Sequence, residues 1–477
     1  MVCSVRLTDE QISAVDAFAG HGDLKLFAFA GTGKTTTLQA MADEARGPAL
    51  YLAFNRSIAA EAQAAFPQGT ACSTVHALAF HALAGEFGVG KLTERLALGD
   101  LVEILGLKDG MHGAAPLPAR VQALLVRSTL QRFLHGRAAA PSAADVVLPG
   151  ALGRAPAADC LALIETTVAR ARELWAQMLD PFNPVPLGHD GYLKLWVLRR
   201  PRLAADHIFL DEAQDTNPVV LDLVRRQDAQ VVYVGDPYQR IYAWRGAVDV
   251  MTQLPGGRPL HLTRSFRFGP AIAAAATSVL AMLGEPRAIE GNPAVDSRLG
   301  PCVPDAVVAR TNAGVVDAVL DALMIGEKPF VVGGTGELLR LLAGVEALKA
   351  GDLAAAPELS GYGDWSEVQE AAREPGSGLR TLVGLVEEYG EDRLMGALTQ
   401  VAPDEDAADL VVTTAHRAKG REWSRVQLRD DFARVVEGAD GLDPAELRLL
   451  YVALTRARLA LDAPTSVIGD DGLELAA

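Results

Sequence analysis

Short, dense apolar runs alternate along the chain with polar or glycine-rich breaks. LKLF (24–27) predicts a strand, and the FAFAGTGKTTT stretch that overlaps its end (27–37) predicts a glycine loop running into a helix N-terminus. HIFL (207–210) predicts a buried strand that stops at Asp211 and Glu212, and VVYV (231–234) another that stops at Gly235 and Asp236. Farther on, VVTT (411–414) predicts a short strand, and LRLLYVALTRARLAL (447–461) a helix carrying Arg456. Between the first glycine loop and Asp211, residues 83–180 are rich in Ala and Leu at helical spacing and predict a helical insertion. Strands separated by helical stretches define an α/β chain.

The breaks carry the chemistry. Gly33, Lys34 and Thr35 complete the end of a G-x-x-x-x-G-K-[ST] phosphate loop, with Ala28 where the first glycine would stand. Backbone amides from Gly31 to Thr35, the Lys34 charge and the Thr35 hydroxyl suffice to cradle phosphate and Mg²⁺. Asp211 and Glu212 lie at the C-terminal edge of a strand, where one carboxylate can hold Mg²⁺ beside Thr35 and the other can orient and deprotonate water. In VGDPYQRIYAWRGA (234–247), Gln239 precedes the aromatic and basic cluster Tyr242, Trp244 and Arg245. That cluster suits base stacking with a phosphate contact, and equally the filling of a domain seam. HLTRSFRFGP (261–270) offers Phe266 and Arg267, and VVTTAHRAKGREW (411–423) offers His416, Lys419, Gly420 and Glu422.

Composition narrows the setting. The 477 residues are 49% hydrophobic with no long biased tract, which suits a globular protein of roughly two to four domains. No apolar leader opens the chain, and AIAAAATSVLAML (271–283) is too short to span a bilayer, so a cytoplasmic protein without a membrane partner is expected. Cys3, Cys72, Cys160 and Cys302 form no C-x-x-C pair and read as buried small hydrophobes rather than zinc, iron-sulfur or disulfide positions. A net charge of −16 disfavours nonspecific coating of nucleic acid but leaves room for a locally basic groove.

The ordered blocks LTDEQISAVDAF, FAGTGKTT, YLAFNRSIAAEA, STVHALAF, FLDEAQDTN, VGDPYQRIYAWRGA, SFRFGP, TTAHRAKGREW and YVALTRA run from residue 7 to 457. Together they resemble a superfamily 1 DNA helicase of the UvrD/Rep type. SFRFGP, HDGYLKLW (189–196) and VQLRDDF (426–432) are most similar to the helicase part of F-box DNA helicases and their small bacterial relatives. An F-box is not expected, since few residues precede the first block, nor is a nuclease after Arg456.

The resemblance implies two RecA-like P-loop motor domains with parallel sheets. The first would comprise residues 1–82 and 181–265 with the helical insertion at 83–180. The second would comprise 266–348 and 409–477, with a reduced insertion at 349–408 that contains the breaker run EPGSG (374–378). It further implies ATP and Mg²⁺ as cofactors. Gln11 would read adenine, Phe266 stack on it and Glu422 hold the ribose. Ala30, Gly31, Thr32, Gly33, Lys34, Thr35 and Thr36 would surround phosphate, with Thr35 and Asp211 on Mg²⁺. Lys34, Asp211, Glu212, Gln239, Arg267 and Arg456 would form the catalytic set. Phe54, Asn55, Thr74, His76, Tyr242, Trp244, Arg245, Thr414 and His416 would line the strand path. Arg421 departs from the Leu usual in the family.

The activity implied is an ATP-dependent 3′ to 5′ translocase on single-stranded DNA that unwinds duplex junctions, as a monomer, in repair or recombination alongside other proteins of those pathways. Two other readings are a translocase that strips recombinase filaments with weak unwinding, and a DNA-binding scaffold without turnover. RNA is also open as the track.

Overall fold

A computed structural model describes residues 6–94, 96–113, 115–148, 150–241, 250–352, 359, 362–373, 379–433 and 443–468. The chain divides into two compact units: residues 1–27 with 34–262, and residues 28–33 with 263–477.

The first unit is built on a six-stranded sheet of β1 (Leu24–Ala28), β2 (Ala49–Leu52), β3 (Thr70–Ser73), β6 (His207–Leu210), β7 (Gln230–Gly235) and β8 (Arg258–Leu262). Their order across the sheet is β3-β2-β6-β7-β1-β8. The pairs β2–β3, β2–β6, β6–β7 and β1–β7 are parallel. Every residue of β2, β6 and β7 is buried, as expected for strands covered on both faces. A short antiparallel pair, β4 (Gly110–His112) and β5 (Ala115–Leu117), lies outside this sheet.

Residues 83–180 are largely helical, as their periodicity predicts, with the long helices Ala119–His135 and Ala157–Leu179. Phe133 and Trp175 join these two edge to face, with centroids 5.3 Å apart. Their apolar faces do not close on themselves. Leu130, Phe133 and Leu174 share one hydrophobic core with Leu50 and Leu52 of β2 and Ile208 of β6.

The second unit holds another six-stranded sheet, of β9 (Arg298–Leu299), β10 (Ala306–Ala309), β11 (Pro329–Val331), β12 (Leu410–Thr414), β13 (Trp423–Leu428) and β14 (Ala457–Asp462), in the order β11-β12-β10-β13-β14-β9. All its neighbouring strands are parallel. Within 349–408, the helices Trp365–Arg373, Arg380–Tyr389 and Glu391–Leu398 place Val368, Val386 and Leu394 in one core with Val307 and Val412 of the sheet. The breaker run 374–378 lies outside the described residues. Two parallel sheets make this an α/β chain of two RecA-like domains.

One element differs from the sequence reading. The helix predicted over 447–461 ends at Leu454, Thr455 and Arg456 form a turn, and Ala457–Asp462 is β14. The segment RLALD is drawn into the sheet by pairing with β13 and β9, so tertiary context overrides a helical apolar pattern. Cys72, Cys160 and Cys302 are free and half-buried rather than fully buried. No helix of the described residues is long and apolar enough to cross a membrane.

Candidate nucleotide and nucleic-acid site

β1 ends at Ala28, whose backbone is not left-handed, so a side chain is tolerated where the phosphate-loop pattern has its first glycine. Gly31 (φ 75°) and Gly33 (φ 78°) do adopt the left-handed region that excludes most side chains. A Cβ on Gly31 would also lie 2.6 Å from both Arg267 Cβ and Ser265 Oγ. The Thr32 hydroxyl donates to Phe29 O (2.8 Å), Phe266 N donates to Gly31 O (2.8 Å), and Ala30 N donates to the Tyr451 hydroxyl (3.2 Å). Lys34 opens the helix Lys34–Asp43, placing Thr35 and Thr36 in its first turn, where unpaired amides favour anions.

The carboxylate pair sits at the C-terminal end of β6. Asp211 is buried; its Oδ2 accepts the Tyr51 hydroxyl (2.5 Å) and its Oδ1 accepts Glu212 N (2.9 Å). Burial and the adjacent Glu212 carboxylate push the Asp211 carboxyl up, while burial and Asp211 raise the Tyr51 phenol. Glu212 holds a left-handed backbone (φ 49°), a strained conformation of the kind found at functional sites. Its Oε1 meets Lys34 Nζ at 2.7 Å and its Oε2 accepts Gln214 Nε2 (2.5 Å). Burial disfavours the charge on Lys34, and the carboxylates of Glu212, Asp211 and Asp236 outweigh it and raise the ammonium. Gln239 is oriented by Asp236, whose Oδ2 accepts its Nε2 (2.8 Å).

Of the predicted adenine and ribose residues, Gln11 and Glu422 are engaged through their side chains within the protein and Phe266 is not. Gln11 Oε1 accepts Thr8 N (3.0 Å) in the capping box of helix Asp9–Phe18, and its Nε2 donates to Thr37 Oγ1 (3.1 Å). The Phe266 ring is exposed. Glu422 forms an ion pair with Arg267 Nε (2.6 Å), whose Nη1 donates to Thr455 O (2.9 Å). Arg456 is buried in its turn. Its guanidinium donates to the carbonyls of Val452 (2.8 Å) and Arg421 (3.2 Å) and to the Thr455 hydroxyl (3.0 Å).

Of the predicted strand-path residues, Asn55 and Thr74 cap the helices that follow β2 and β3. Asn55 Oδ1 accepts Ile58 N (2.9 Å) and Thr74 Oγ1 accepts Ala77 N (3.1 Å). Phe54 is 48% exposed. A cavity of about 600 Å³ brings Phe54, Thr74 and His76 onto one lining with Asp211 and Glu212. In the second unit Thr414 caps the short helix Ala415–Ala418 that carries His416. Tyr242, Trp244 and Arg245 lie outside the described residues.

Several partners are not found by reading motifs. Tyr51, Gln214, Asp236 and Tyr451 each hold a motif residue through one hydrogen bond. All four fall inside the quoted blocks; Gln214 and Asp236 could have been proposed from their polar chemistry and spacing, whereas Tyr51 and Tyr451 sit in apolar runs where a hydroxyl gives no signal of its own. His135 and Asp190, on the same cavity, were also missed.

A glycine loop feeding a helix, a strand-edge carboxylate pair beside its lysine, and two parallel sheets are the features of a P-loop chain with two RecA-like domains. Residues 176–254 match the UvrD/REP helicase N-terminal domain. The chain is 30% identical to the F-box DNA helicase protein 1 of Schizosaccharomyces pombe, over 95% of this chain and 57% of that protein. It is also 30% identical to the F-box DNA helicase 1 of Gallus gallus, over 96% of this chain and 49% of that protein. The chain thus spans about half the length of these curated relatives. With its motif order, this similarity makes the chain resemble the superfamily 1 helicases of the UvrD/REP kind over nearly its whole length.

Proposed function

We propose that the chain is an ATP-driven, Mg²⁺-dependent translocase on single-stranded DNA that separates duplex, moving 3′ to 5′ as a monomer and serving repair or recombination. The observation that carries this reading is the shared cavity: strand-path residues Phe54, Thr74 and His76 line the same space as Asp211 and Glu212, whose neighbour Lys34 is 2.7 Å from Glu212. A grip on nucleic acid and a hydrolytic centre in one cavity are the parts a motor must link.

The donor set fits Mg²⁺. Thr35 and Asp211 offer hard oxygens, and among the described residues no three His, Cys, Asp or Glu side chains gather to hold a metal alone. That suits an ion that keeps waters and shares its shell with substrate phosphates. When bound, Mg²⁺ supplies charge neutralisation at the β- and γ-phosphates.

The chain's own residues do the rest. The loop amides and Lys34 bind the phosphates and stabilise charge on the transferring group. Glu212 accepts the proton of the attacking water, and Gln239, fixed by Asp236, orients the γ-phosphate. Arg267 and Arg456 add positive charge there. Phe266 and Gln11 take the adenine, and Glu422 takes the ribose once released from Arg267.

The test is ATP turnover measured against single-stranded DNA, RNA and duplex, followed by unwinding of 3′-tailed and 5′-tailed substrates. Stimulation by single-stranded DNA and unwinding confined to 3′-tailed duplex are expected. Turnover indifferent to nucleic acid would overturn the reading.

A further inference from the structure

The cavity has a feature that the motifs leave unexplained. Asp190, in the helix Gly188–Leu198, projects its carboxylate between two imidazoles: His135 Nε2 at 3.2 Å, within hydrogen-bond range, and His76 Nε2 at 3.8 Å, just beyond it. His135 ends the insertion helix Ala119–His135, and His76 lies in the first turn of the helix Val75–Phe87 that Thr74 caps. Three segments remote in sequence therefore converge on one carboxylate. The buried Tyr192 backs the cluster: its ring meets His76 edge to face at 6.0 Å, and its hydroxyl lies 3.1 Å from His189 Nδ1. Burial works against ionisation of Asp190, yet the two imidazoles hold its carboxyl well below the usual carboxylate range.

The exposures distinguish a working cluster from a structural staple. The His135 side chain is 14% exposed, whereas His76 and Asp190 are 42% and 43% exposed. All three line the cavity shared with Phe54 and Glu212. His76 is thus gripped from behind, by Tyr192 and Asp190, and open in front. That arrangement presets a polar side chain so that little rotamer freedom is lost when a ligand meets it.

We infer that Asp190 is a positioning residue of the strand path: its carboxylate, shared with His135 of the insertion, fixes the imidazole of His76 on the cavity wall against which single-stranded DNA lies. The inference rests on the reading of that cavity as a strand path. It assigns Asp190 and His135 roles that act through His76 rather than on the nucleic acid directly.

The experiment titrates oligo(dT) against ATP turnover for wild type, Asp190→Asn, Asp190→Glu, His76→Ala and the Asp190→Asn/His76→Ala double variant, with thermal melting of each. Asp190→Asn should raise the half-saturating oligo(dT) concentration about tenfold, the loss of one charge-assisted contact, and leave the rate at saturating strand within about twofold of wild type. Asp190→Glu should recover most of the affinity. In the His76→Ala background, Asp190→Asn should add no further loss. Additive losses in the double variant, unchanged half-saturation, or a fall in maximal rate alone would overturn the inference. If Asp190→Asn melts below the assay temperature, His135→Gln takes its place in the same cycle, and additivity with His76→Ala is again the overturning result. Wild-type turnover without strand stimulation would overturn the strand-path reading and this inference together; stimulated wild type with additive variants overturns this inference alone.

Discussion

At the scale of single residues, the hydroxyl of Tyr51 shows how the buried carboxylate of Asp211 is held. Its ring packs on Phe66 with centroids 4.7 Å apart while its hydroxyl donates to Asp211. Tyr51→Phe keeps the ring and removes one donor. Because partners of a metal-binding carboxylate orient it, the change should lower Mg²⁺ affinity or turnover about 10–100-fold, as read by an ATPase titration with Mg²⁺. A second expectation concerns Gly31. An alanine there meets a left-handed backbone and atoms at 2.6 Å that belong to Ser265 and the root of Arg267. Gly31→Ala should cost at least about 1–2 kcal/mol, seen as a lowered melting temperature, and should cripple nucleotide binding. Lys34, Asp211 and Glu212 were legible as candidates because a glycine loop and an acidic pair ending an apolar strand leave local marks in the sequence, and the fold brings Lys34 to 2.7 Å from Glu212. Tyr51 and Tyr451 were not, since a tyrosine within an apolar run reads as core until its hydroxyl is seen to face a polar atom.

At the scale of elements, the helix Gly188–Leu198 carries a buried cation. Lys194 is 2% exposed, donates to Gly136 O and lies 4.6 Å from the centroid of Phe133. Burial lowers its ammonium to about 8, against the partial support of Asp145 and Asp222. Its unfolded value is about 10.4, so between pH 8 and that value the unfolded chain binds more protons and stability rises with pH. Below pH 8 folding bears the full cost of the buried charge, about 3 kcal/mol. Lys194→Met should therefore melt higher than wild type near pH 7, and the difference should shrink by pH 10, as melting curves across that range would record. Strands at this scale were legible where apolar runs stopped at a polar break, as at β6 and β7. β14 was not, because Ala457–Asp462 is set by pairing with β13 and β9, a long-range contact that leaves no mark on local periodicity.

At the scale of the whole molecule, nucleotide binding must register as stability. A ligand at one hundred times its dissociation constant stabilises the state it binds by about 2.7 kcal/mol. A non-hydrolysed ATP analogue with Mg²⁺ should raise the melting temperature of wild type. Lys34→Ala should lose most of that shift and lower turnover by orders of magnitude. The order of the blocks made the two-sheet plan legible, but it could not show how the inserted residues are housed. Leu130, Phe133 and Leu174 of the first insertion complete a core begun by Leu50, Leu52 and Ile208. Deleting residues 83–180 would strip cover from β2 and β6, the strands that lead into Phe54 and Asp211. In evolutionary terms, any change that removed the insertion would have to replace the apolar cover of β2 and β6 in the same step. The insertion's length can drift only where its loops leave that common core, and a graft of it onto another motor must bring matching residues on the host strands.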